Sequence, residues 1–123
     1  MRYPTVGDYY RERRFTDAWS FRVAKLGDHR YEVLVFLHEM IEFFLCRMAG
    51  IKLREIDRFD QAYEMSREAG VPPACRCAHY AEPGDDPHAV YHRFHKAATK
   101  CEKIAAEALG VDWGDYEKAI ADL

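Results

Sequence analysis

The chain has no basic excess, no long apolar run and few cysteines, and each shortage closes a class of function. Lys and Arg number 18 against 21 Asp and Glu, a net charge of −3. The two signs are interspersed, so no electrostatic footprint for a nucleic-acid partner is present. The longest uninterrupted apolar run is Val33–Leu37, far short of the roughly 20 residues that a membrane helix needs. Met1-Arg2-Tyr3-Pro4-Thr5 lacks the apolar stretch of a signal peptide. No membrane association and a cytoplasmic location are therefore expected. In that compartment Cys46, Cys75, Cys77 and Cys101 are expected as reduced thiols. Internal repeats and low-complexity segments are also lacking.

What is present fits one domain over residues 1–123, with 49% hydrophobic and 32% charged residues. Trp19, Phe21 and Val23 alternate with Ser20, Arg22 and Ala24, the period of a half-buried strand. Asp17-Ala18 is placed to turn that strand back on a short partner, giving an N-terminal β-hairpin. From about Arg30 to Ala49 the spacing predicts a long helix, capped by Asp28 and stopped at Gly50. Leu34, Leu37, Ile41, Phe44 and Met48 share one face of it, and Phe36 and Phe43 lie nearly opposite. A second helix is expected over Leu53 to Ala69. Asp86-Pro87 opens a third that runs to about Leu109. Asp112 caps a short fourth, Trp113 to Ala121. The expected fold is mainly α: a small bundle of three principal helices and a short C-terminal one, with the hairpin in front.

Chemistry concentrates in His38-Glu39-Met40-Ile41-Glu42, inside the most apolar stretch of the chain. Taking a carboxylate into such surroundings costs several kcal/mol unless it is compensated, and a bound cation compensates a cluster of acids and imidazole. His38 and Glu42, one turn apart, project within about 40° of each other, a standard way to aim two ligands at one ion. Asp60 falls on the apolar stripe of the second helix, where a metal ligand and a structural acid paired with Arg54 or Arg58 are both open readings. His88, His92 and His95 recur on the third helix. Of these His95, followed by Glu102, lies nearest the apolar face, while His88 and His92 face solvent. Cys75-Arg76-Cys77-Ala78-His79 does not match paired-thiolate zinc spacing. Glu82-Pro83-Gly84-Asp85-Asp86-Pro87 reads as turn chemistry and helix capping, with the options of leaning over the helix cluster as a lid or of lending it one carboxylate.

The proposed ligands are His38, Glu42, Asp60 and His95, binding a divalent ion: zinc, manganese, iron or magnesium. Glu39 or Glu102 would orient or deprotonate a bound water acting on a small-molecule substrate. The competing reading is a non-enzymatic protein in which the cluster is a structural metal site or a buried charge network and a protein partner is engaged elsewhere. The aromatic helices would also suit a homodimer.

Several stretches together resemble a family of small uncharacterised bacterial and phage proteins. They are Tyr3-Pro4-Thr5-Val6-Gly7-Asp8-Tyr9, His38-Glu39-Met40-Ile41-Glu42, Ile56-Asp57-Arg58-Phe59-Asp60, the Glu82–Pro87 loop, Tyr91-His92-Arg93-Phe94-His95 and Gly110-Val111-Asp112-Trp113. That resemblance implies a shared fold and site but no activity. Glu39-x-x-Glu42 followed by Asp57-x-x-Asp60 is similar to the all-α nucleotide pyrophosphohydrolases of the MazG-like group. This likeness implies magnesium and a nucleotide or other small phosphorylated substrate. Here the first Glu of the second pair is Asp, and histidines join the cluster. His38-Glu39-x-x-Glu42 also resembles the His-Glu-x-x-His helix of zinc peptidases, with Glu in place of the second histidine. That likeness implies Glu39 as the base.

Overall fold

Alternating Trp19–Val23 forms strand β2 in the computed structural model, which describes residues 7–11, 19–70 and 82–123. It pairs antiparallel with β1 (Gly7–Arg11), in the register Gly7↔Val23, Tyr9↔Phe21 and Arg11↔Trp19. The turn expected at Asp17-Ala18 lies outside the described residues. Four helices follow: α1 (His29–Met48), α2 (Leu53–Glu68), α3 (His92–Ala108) and α4 (Trp113–Ala121). The protein is thus a small helical bundle with a two-stranded antiparallel sheet ahead of it. Among the described residues no helix is long and apolar enough to cross a membrane.

The helix ends follow local chemistry. Asp28 accepts the Arg30 backbone N–H at 2.9 Å, satisfying one of the orphan donors at the start of α1. Gly50 adopts φ 74° beyond its last turn, a left-handed conformation that residues with a side chain rarely take. Asp112 accepts the Asp115 N–H at 2.9 Å and so starts α4.

The third helix corrects the sequence reading. It starts at His92 rather than at Pro87. The Asp86 carboxylate accepts the His88 backbone N–H at 2.9 Å, which closes a turn instead of a helical cap. Ala89 N–H then bonds the Asp86 carbonyl and His92 N–H bonds the Ala89 carbonyl, so residues 86–91 form successive turns. Ahead of them Pro83–Asp85 is a short 3₁₀ turn, with proline at its first position.

α1 and α3 lie antiparallel, and their facing residues define the interior. At one end Leu34 and Val35 of α1 cluster with Ala106, Val111 and Tyr116. At the other, Cys46 clusters with Ile56, Ala89 and Tyr91. Trp19 and Phe21 of β2 lie on Phe43, with ring centroids 4.6 and 5.6 Å away. The face of α1 that is buried therefore runs through Leu34, Val35, His38, Glu42 and Cys46. Of the apolar residues that share a face with Leu34, Phe44 and Met48 are exposed. His38 and Glu42 face the partner helix between the two apolar clusters, which flank them and leave a gap.

Candidate metal centre

That gap holds four titratable side chains. Relative exposure is 7% for His38, 6% for Glu42, 5% for His95 and 7% for Glu102. Burial this deep is costly for isolated charges, so their arrangement has to compensate them. Each imidazole uses one nitrogen on a carboxylate that can only accept. His38 Nδ1–H donates to Glu102 Oε1 at 2.8 Å. His95 Nε2–H donates to Asp85 Oδ1 at 3.0 Å, with Glu82 Oε2 at 3.3 Å from the same nitrogen. Glu102 is itself held, because Tyr116 Oη–H donates to its Oε2 at 2.5 Å.

The other nitrogens meet. His38 Nε2 and His95 Nδ1 are 3.2 Å apart, and both approach Glu42 Oε2, at 3.1 and 2.9 Å. Two donors bound to one ion at about 2.1 Å are themselves separated by about 3.0–3.4 Å, so this triangle has the edges of a coordination site. The carboxylates on the far side of both rings are the outer partners that ligating histidines usually have. His38, Glu42 and His95 thus form a group able to hold a metal ion; Glu82, Asp85 and His95 form a second, more exposed one.

Protons compete for the same triangle. Burial alone would depress the His38 imidazolium, but its hydrogen bonds to Glu102 and Glu42 outweigh that, and in the metal-free protein it is pushed up to about 10. His95 is likewise depressed by burial and more strongly raised by Asp85, Glu42 and Glu82, to about 12. Burial pushes Glu42 up, and hydrogen bonds from both imidazoles reverse this and hold it at about 2. The Tyr116 phenol is raised by burial and by the neighbouring Glu102 charge, so it remains a donor.

The structure brings together three of the four ligands expected from the sequence. Asp60 is buried, accepts from the Tyr91 hydroxyl and lies on the wall of the same cavity, outside the triangle of donor atoms. Glu102, expected to work on a bound water, instead points at the back of His38. Glu39 is half-buried and lines the cavity. His88 pairs with Asp86, and His92 donates to the Gly84 carbonyl at 2.9 Å; neither enters the cluster. Cys75, Cys77 and His79 lie outside the described residues.

The carboxylate that the Glu82–Pro87 turn had the option of lending is supplied by Asp85, with Glu82 near it, on the outer nitrogen of His95; Gly84 beneath that ring and Tyr116 behind Glu102 were not anticipated. The cavity in front of the triangle measures about 600 Å³. Its described lining includes eight carboxylates, among them Glu39, Asp60, Glu64 and Glu117, and a single lysine, Lys103. No protein-family model matches the chain, and neither a curated protein nor a solved structure matches it.

Proposed function

We propose that the chain binds a divalent transition-metal ion through His38 Nε2, Glu42 Oε2 and His95 Nδ1 and uses it for hydrolysis. The observation that carries this reading is the convergence of three potential donor atoms from two helices, with the outer nitrogen of each imidazole on a carboxylate, so that an ion displacing the inner protons would meet two lone pairs aimed inward. Two imidazoles and one carboxylate suit zinc, manganese or iron better than magnesium, which prefers all-oxygen surroundings. Three protein ligands beside an open cavity favour a catalytic over a structural centre, since structural zinc sites are closed by four.

A bound ion of this kind lowers the pKa of its water towards neutrality. Glu39 lines the same cavity and is the residue assigned to accept the proton. Glu102 holds His38 rather than the water, so its role is to orient a ligand. Even with Lys103 and the charge of a bound divalent ion set against them, the eight carboxylates keep the described lining acidic, which favours a neutral or cationic substrate over the phosphorylated compound implied by the pyrophosphohydrolase likeness.

The test is reconstitution with zinc, manganese or iron(II), followed by assay on amide, ester and phosphoester probes. Glu39→Gln should keep the ion and lose turnover by at least about 100-fold, the usual worth of a general base. Equal turnover in Glu39→Gln, or no metal-dependent turnover on any probe, contradicts the catalytic reading. Metal retained with no activity would favour the structural one.

A further inference from the structure

The 3₁₀ turn Pro83–Asp85 lies against α3 with unusual closeness. A Cβ placed on Gly84 would fall 2.5 Å from His95 Nδ1 and 2.6 Å from its Cγ, inside the distance that real Cβ atoms keep. The His92 Nδ1–H donates to the Gly84 carbonyl at 2.9 Å, so the first turn of α3 grips the segment from beneath. Proline at the first position presets its φ, and Glu82 N–H reaches back to Asp85 Oδ2 at 3.3 Å. The result is a small rigid unit with Asp85 Oδ1 on His95 Nε2.

We propose that residues 82–85 are a latch on the metal centre. Asp85 is a positioning residue that acts through His95, and Gly84 is required because only a residue without a side chain lets the latch close. This rests on the metal reading of the His38–Glu42–His95 triangle. The chemistry is specific: His95 can give its Nδ1 lone pair to an ion only while its proton sits on Nε2, and Asp85 holds that proton there. His38 has the equivalent arrangement with Glu102, but that carboxylate is sealed behind Tyr116, whereas Asp85 stands half-open to solvent. The two ligands are therefore fixed by different means, one by the core and one by a turn.

The experiment uses the full chain with zinc and cobalt(II) as probes, in the wild type, Gly84→Ala and Asp85→Asn. Zinc affinity, measured by competition with a chromophoric chelator, should fall roughly 10–100-fold in both variants. At saturating cobalt(II) the visible absorption bands should differ from wild type in both. A variant that is merely less stable would recover the wild-type spectrum once saturated, so that recovery overturns the latch. Wild-type affinity in both variants overturns it too. A stoichiometry that drops from two ions to one in Asp85→Asn would make Asp85 a ligand of a second ion, which also overturns a positioning role. If Gly84→Ala does not fold, Asp85→Asn, with the same shape, decides alone. A wild type that binds neither metal removes the metal reading and the latch together, an outcome distinct from losing the latch alone.

Discussion

His38 is tied at both ends: Nδ1 to Glu102 and Nε2 to Glu42 and His95. Removing the ring takes one partner from each of two buried carboxylates, leaving Glu42 to His95 and Glu102 to Tyr116. His38→Ala should therefore lose bound metal and also destabilise the metal-free protein, by about 3–5 kcal/mol in denaturant unfolding, as for a buried ion pair with one member deleted. Unchanged metal content or unchanged midpoint would contradict the assignment. At this scale much of the site was legible. The i, i+4 spacing of His38 and Glu42 inside an apolar helix carried its own cost argument, and His95 was separated from His88 and His92 by its nearness to the apolar face. That the Glu82–Pro87 turn could lend a carboxylate was legible, but not that Asp85 would be the one to meet His95 or that Gly84 would lie against its ring. Pro-Gly-Asp has the same turn chemistry wherever it lies, and only through-space contact shows what the turn rests on. Asp60 was read correctly as buried, but its partner, Tyr91, belongs to a segment expected to be helical and found in turns.

At the level of elements, the α1–α3 pairing places the site. Leu34 is fully buried at one end of that interface, among Val35, Ala106 and Tyr116. Leu34→Ala should cost about 2–5 kcal/mol from lost burial and the cavity left behind, read as a lower denaturant midpoint. Because Tyr116 shares that cluster and holds Glu102, some metal affinity should be lost with it. A loss below about 1 kcal/mol would contradict the packing described. Helix ends at Asp28, Gly50 and Asp112 were visible in the sequence because capping is local. The start of α3 was not. Asp-Pro reads equally as a helix opening or a turn, and the choice is made by Asp86 being almost fully buried and bonding His88. The buried face of α1 was likewise hidden. Apolar residues lie on two opposite faces, so their spacing did not choose between them, whereas the partner helix selects His38 and Glu42, flanked by Leu34 and Cys46.

Across the whole molecule, protons occupy the same buried triangle that the proposed metal ion would need, so stability should depend on pH in two different ways. In the metal-free protein His38 and His95 are raised from an ordinary 6.5 to about 10 and about 12. Their contribution is complete below the unfolded value and is lost as pH rises through the folded ones. Glu42 is lowered from 4.5 to about 2, so its contribution is present above the unfolded value and lost as pH falls through the folded one. Thermal melting of the metal-free protein should therefore decline at both alkaline and strongly acidic pH. The increment added by zinc should do the opposite and keep growing as pH rises towards the folded values of His38 and His95, about 10 and about 12, because ligation displaces their protons. A zinc increment independent of pH would contradict proton displacement.

The central claim is that His38, Glu42 and His95 hold an ion, and the metal content of protein purified without a histidine tag tests it most directly. About one transition-metal ion per chain is expected, lost in His38→Ala, with melting lowered by chelator. Less than about 0.2 ions per chain after exposure to zinc, manganese and iron(II), with melting unchanged in chelator, would contradict it and leave the triangle as a buried charge network.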